Sequence, residues 1–233
     1  MESTSTSAVS SQLPAPSNTS NSKPTSTPRL TLTRHLSPTT SYLFPSLYSF
    51  PPFFTRQPNL SVWSHQRSQW IRLILSHCRH TKTSLLYLSE TAINENELWS
   101  NEKIGRSLNR ENVLEVLKFM AGSTNPPQVE FLKSWTTGTG GTKGGGATES
   151  EACYVYWKTP SEWAETIYGW IKETGQIGSI LTFYELIESD DSLDFYRLPE
   201  GLLRKVLEIL QRQGKCQVLR GTLGEDGDGV KFV

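Results

Sequence analysis

The sequence predicts an α+β chain of two similar halves behind a disordered N-terminal tail. Three observations carry this reading. Residues 1–44 hold 20 Ser or Thr and a single acid, Glu2, with no apolar run or hydrophobic period. Trp63, Trp70 and Ile71 recur about one hundred residues on as Trp163, Trp170 and Ile171. Two apolar helical stripes, VLEVLKFMAG and VLEILQRQG, each end in glycine and lead into β-type runs.

The tail, residues 1–44, cannot bury enough apolar surface to offset the entropy of ordering it. It has no continuous apolar core like that of a secretory signal. Its Ser-rich, acid-poor character with Arg29 and Arg34 loosely fits an organellar leader, but no amphipathic helix supports that. Ser37-Pro38 and Thr27-Pro28 are possible phosphorylation dipeptides of a common kind. Next comes FPPFFTRQPN (Phe50 to Asn59), whose Pro51 and Pro52 hold the chain extended. Phe53 and Phe54 then read as an external anchor; in the alternative, Phe50 or Phe54 packs on the chain's own first domain as a staple before the Trp63 helix.

The first half, residues 45–157, opens with a helix that puts Trp63 and Trp70 on one face. Leu85 to Leu88 reads as a β segment and Leu98 to Arg106 as a short middle helix. Val113, Val116, Leu117 and Met120 form the core stripe of a longer helix, started near Asn109 and stopped at Gly122. Gln128 to Leu132 and Cys153 to Trp157 pair as a hairpin around a Gly/Thr-rich loop, about residues 136–150. Lys158-Thr159-Pro160 marks the boundary. The second half, residues 158–233, repeats the order: the Trp163 helix, a β segment at Ile180 to Phe183, a short helix at Tyr184 to Ser189, and a long helix with Leu203, Val206, Leu207 and Leu210 as its stripe. Cys216 to Arg220 and Gly229 to Val233 form its hairpin. Helix, β segment, helix, helix and hairpin in that order is the winged-helix arrangement, here twice in tandem.

Little in the sequence points to chemistry. SHCRH (Ser76 to His80) puts only His77 and His80 on one helical face, too few ligands for a metal. The glycines around Lys143 lack the order of a phosphate loop, and the acidic stretches Glu188 to Asp194 and Glu225 to Asp228 lack a calcium-loop pattern. No nucleophile, base and acid arrangement stands out, so no enzyme and no cofactor is expected. Cys78, Cys153 and Cys216 lie far apart and imply no disulfide framework, which fits a reducing compartment. Removing the tail's three basic and one acidic residues from the balanced 23 and 23 leaves 20 against 22. That balance counts against a winged-helix nucleic-acid binder, the runner-up reading, even though Arg204, Lys205 and Arg212 lie on the last long helix.

FPPFFTRQPN, the tryptophan helix ending in SHCR, W-x-x-P-x-E-W at Trp157 to Trp163, IYGWI at Ile167 to Ile171, LTFYEL at Leu181 to Leu186 and the terminal GVKF together resemble one family. It is that of the small subunits of the endosomal sorting complex ESCRT-II. The resemblance spans about Phe50 to Val233. It implies two tandem winged helices, a non-enzymatic role in sorting ubiquitinated membrane proteins into multivesicular bodies, and a cytoplasmic protein recruited to endosomes through partners. It further implies that Pro51, Pro52, Phe53 and Phe54 dock on the two larger winged-helix subunits of ESCRT-II. The second domain would receive the first helix of the lipid-anchored, initiating ESCRT-III subunit, with Trp163, Lys172, Phe183 and Tyr184 as the residues suggested by position. The tail and the enlarged first wing depart from the family pattern.

Overall fold

In the computed structural model, residues 34–132, 151–219, 221 and 228–233 are described. Tail residues 1–33 and the expected wing loop, about 136–150, therefore lie outside the described residues.

Each half is built in the same order. In the first, α1 (Leu60–His80) starts where the Asn59 side chain accepts from the amides of Ser61 and Val62. It is followed by β3 (Leu85–Tyr87), α2 (Glu90–Glu95), α3 (Arg110–Gly122), β6 (Val129–Phe131) and β7 (Ala152–Val155). The sheet order is β3-β7-β6, fully antiparallel, with Leu86 opposite Cys153 and Val129 opposite Val155. In the second half α4 (Pro160–Glu173), β8 (Ile180–Thr182), α5 (Phe183–Glu188) and α6 (Glu200–Arg212) precede β9 (Cys216–Leu219) and β10 (Gly229–Phe232). The sheet order β8-β10-β9 repeats the first, with Val230 between Leu181 and Val218. Both halves thus have the winged-helix order, and α+β is the class.

Two sequence expectations are corrected. The middle helix of the first half is α2, where Ser89 caps the amide of Ala92. Leu98 to Arg106 instead makes a small hairpin, β4 (Ser100–Asn101) with β5 (Arg106–Ser107), around a turn closed by Gly105 at φ 58. The turn holds only a single 3-10 turn, Glu102–Ile104, begun by Asn101 accepting from the amide of Lys103 and stopped by the left-handed Gly105, so no α-helix extends through it. Residues 35–44, expected to belong to the disordered tail, are ordered instead. His35–Leu36 (β1) pairs with Leu43–Phe44 (β2), and Tyr42 and Phe44 are buried. Phe44 stacks on Tyr48 at 4.0 Å, and Tyr42 meets His77 edge-on at 5.1 Å. Averaged over 44 residues the composition is polar, but two aromatic rings are enough to hold this short hairpin on α1.

The halves meet through polar as well as apolar contacts. Tyr156 donates to Glu130 at 2.5 Å, and Lys205 of α6 pairs with the same carboxylate. Trp157 crosses the expected boundary to pack edge-on against Trp163 at 4.7 Å. Leu32–Val233 forms one contact unit.

Candidate functional site

The segment around Pro51 to Phe54 is shaped by α1. It forms a short 3-10 turn. Phe53 is 3% exposed and stacks on Trp70 at 4.2 Å with the planes 9° apart. Phe54, 4% exposed, meets Trp70 and Tyr48 edge-on at 5.6 and 5.2 Å. Gln66 donates to the carbonyls of Phe53 (2.6 Å) and Thr55 (3.1 Å), and the Trp70 indole donates to Phe53 at 3.2 Å. In the chain by itself Phe53 and Phe54 are turned inward rather than outward. Trp70 and Tyr48 offer them an aromatic pocket within the chain, which the burial of two rings favours.

Pro51 and Pro52 do face outward. The first turn of α1 exposes Leu60 (74%) and Val62 (48%), and one turn after Val62 the side-chain amide of Gln66 lies 3.4 Å from the Pro52 carbonyl. The sequence reading missed Leu60 and Val62, because residue type alone does not say which apolar side chains on a helix's first turn stay uncovered. Beside them Glu115 holds Arg56 at 2.8 Å and the Trp63 indole at 2.6 Å, which keep its carboxyl below the usual carboxylate range.

The second half corrects two more expectations. Trp163 is wholly buried against Trp157, and Phe183 is buried beneath Arg204, reaching only a separate cavity shared with Arg204, Glu208, Gln211 and Val218, away from Tyr184. Both rings sit on the core stripe of an amphipathic helix, where 3.6-residue periodicity turns them inward. Lys172 is exposed and lies over Tyr168 at 5.2 Å. Tyr184 is 70% exposed at the rim of a cavity lined by Trp170, Gln176, Leu181, Glu185, Glu188 and Ser189. Lys172 is not among the lining residues. Ile177 and Ile180, on the turn and strand leading to this cavity, are also exposed, and Oε1 of Gln176 is buried without a hydrogen-bond partner among the described residues. The cavity is thus apolar in its floor, acidic at its rim and supplied with one unused acceptor.

Among the described residues nothing assembles a reaction centre. Burial pushes the Cys78 and Cys153 thiols up to about 12, far from the thiolate a nucleophile requires. Among the described residues no group of three or more His, Cys, Asp or Glu could hold a metal ion, and no helix is long and apolar enough to cross a membrane. Two of the three α6 cations that a nucleic-acid contact would use pair within the chain, Arg204 with Glu200 and Asp228 and Lys205 with Glu130, while Arg212 bonds the Glu208 carbonyl of its own helix.

Residues 47–199 match the family model described as ESCRT-II complex subunit. The chain belongs to that family. Vacuolar protein-sorting-associated protein 25 of Danio rerio is 34% identical over 82% of this chain and 99% of its own length. The Schizosaccharomyces pombe protein of that name is 34% identical over 78% of this chain and 93% of its own. The crystal structure of subunit VPS25 of the endosomal trafficking complex ESCRT-II superposes with a TM-score of 0.63 at 29% identity, covering 80% of this chain and 97% of that one. A chain in the crystal structure of the endosomal complex ESCRT-II (VPS22/VPS25/VPS36) gives 0.62 over 81% and 98%. The ESCRT-II family is one of complex subunits, and this member is not an enzyme.

Proposed function

We propose that this ESCRT-II subunit links the ESCRT-II core to ESCRT-III in endosomal, multivesicular-body sorting of ubiquitinated membrane proteins, as a cytoplasmic protein brought to the endosome by its partners. The observation that carries the reading is the near end-to-end likeness to the VPS25 chain crystallised with VPS22 and VPS36. The first winged-helix domain, residues 45–157, meets the two larger subunits through Pro51 and Pro52 with Leu60 and Val62. Phe53 and Phe54 hold that edge in shape from inside. The second domain, residues 158–233, receives the ESCRT-III helix at the cavity beside Tyr184, with Lys172 outside the contact. An apolar floor with Glu185 and Glu188 at the rim suits an amphipathic helix with a basic face.

The test is co-purification of the full chain with the two larger subunits and, separately, with the initiating ESCRT-III subunit. Pro51→Ala with Val62→Asp is expected to lose the larger subunits and keep ESCRT-III binding. Tyr184→Asp is expected to do the reverse. Full retention of both partners by both variants refutes the assignment.

A further inference from the structure

The hairpin of residues 35–44 lies over α1 and α2 as a strap, and its turn is held by one carboxylate. Ser37 is 2% exposed. Its hydroxyl donates to Glu97 Oε2 at 2.5 Å and accepts from the amides of Thr39 (3.1 Å) and Thr40 (2.9 Å). Thr40 Oγ1 reaches Glu97 Oε1 at 2.5 Å, and His77 Nε2 lies 3.2 Å from the same oxygen. Farther out, His80 bonds the Thr40 carbonyl and Tyr42 donates to Ser76. The residue after Ser37 is Pro38, which is exposed, as are Leu36 and Thr39.

The surroundings of this hydroxyl are acidic. The cavity against the turn is lined by Glu95, Glu97 and Glu102, with Lys103 and His35 as its only other titratable groups apart from Tyr48. Burial favours a raised pKa for Glu97, but the bonds from Ser37, Thr40 and His77 outweigh it and keep the carboxyl below its ordinary range. His35 and His77 are both shifted down, chiefly by burial, and so are uncharged at neutral pH. A phosphate here would lack the proton that now goes to Glu97 and would set a dianion against three carboxylates, with Lys103 as the one fixed cation lining the cavity among the described residues.

We propose that Ser37 is a proline-directed phosphorylation site whose modification releases the strap from α1. In the transfer, Ser37 Oγ bonds to the γ-phosphorus of ATP as the β,γ-bridging P–O bond breaks, ADP departs, and the hydroxyl proton passes to the kinase's carboxylate base. The kinase meets the strap during local opening of this two-stranded hairpin, and the contacts that hold it keep the modification slow. Once modified, the strap cannot return, and Tyr42, Phe44 and the face of Tyr48 that Phe44 covers become exposed next to the Pro51 to Phe54 turn.

Two measurements on the full chain test this. Phosphoserine is installed at residue 37 by codon reassignment, and amide exchange is followed across residues 35–44, with α6 as the internal control for folding. Exchange about tenfold faster in the strap, with α6 unchanged, is expected. Glu97→Lys is expected to reverse the outcome, loosening the unmodified strap and protecting the phosphorylated one. Unaltered strap protection in the phosphorylated chain overturns the release. In the second measurement a proline-directed kinase with ATP is expected to modify Ser37 slowly in the parent chain and faster in Glu97→Ala. Absence of phosphate on residue 37 in both chains overturns the site.

Discussion

Gly201, in the first turn of α6, lies against the Tyr154 hydroxyl on β7 so closely that a side-chain carbon at 201 would overlap the phenol oxygen. Glycine is needed here for close approach rather than for backbone freedom. Lys205, one turn on, reaches Glu130 and passes over Tyr154 at 5.5 Å, so α6 is seated on the first half's sheet by one glycine and one cation. Gly201→Ala should destabilise the chain by about 1–3 kcal/mol, as overpacking does. The overlap is with the hydroxyl alone, the next ring atom being 3.5 Å away. Adding Tyr154→Phe should therefore recover most of the loss, read as a non-additive double-mutant cycle in urea unfolding. Additive losses would mean that Gly201 matters for another reason.

Phe53 and Pro51 are near neighbours with opposite expected phenotypes. Phe53→Ala empties a site between Trp70 and Phe54 and should cost about 3–5 kcal/mol, seen as a lower urea midpoint. Pro51→Ala, on the outside, should move the midpoint within about 0.5 kcal/mol. If Phe53→Ala left the midpoint unchanged, its burial against Trp70 would not hold in solution.

Much of this was legible in the sequence, and the failures share a cause. The Val113 and Val206 stripes, the Asn109 cap and both wing hairpins were readable because periodicity and capping are local. Trp63 and Trp163 were readable as repeat partners, yet Trp163 was misplaced to a surface, because the repeat specifies a helix and not a binding face. The direction of Phe53 and Phe54 depended on Trp70 and Tyr48 leaving room for two rings, which is a tertiary property. The strap was hidden by averaging Tyr42 and Phe44 into a polar tail. The capping boxes Thr159 with Glu162 and Thr182 with Glu185 were available as Thr-x-x-Glu signals and would have fixed the starts of α4 and α5.

His77 should make stability sensitive to mild acid. Burial lowers its pKa from the ordinary 6.5 despite the opposing hydrogen bond to Glu97 and that carboxylate's charge, while His80 pushes the same way as burial. The unfolded chain takes up this proton as pH falls below about 6.5, whereas the native chain resists it. The unfolded state then binds more protons, so stability falls with pH until the lowered native pKa is reached. The melting temperature should decline between pH 7 and pH 5.5, and His77→Gln should flatten that decline. A decline of equal slope in His77→Gln would assign it to His35 or another group.

Tyr184 and Trp163 offer the sharpest separation of surface from core in the second half. Trp163 is wholly buried between Trp157 and the Lys158 ammonium, which lies 4.9 Å from its ring, so Trp163→Ala should cost about 3–5 kcal/mol and lower the melting temperature. Tyr184 projects from α5 with no buried contact to lose, and Tyr184→Ala should leave unfolding within about 0.5 kcal/mol of the parent. Its effect should appear only with a partner: titration with a basic amphipathic peptide should weaken by about tenfold or more, as for an aromatic anchor in a binding patch. Because Glu185 and Glu188 rim the same cavity, the parent's affinity should also fall as salt is raised. Calorimetric titrations of the parent and Tyr184→Ala chains at two salt concentrations check both effects, and equal affinity in all four would exclude this cavity as the docking site.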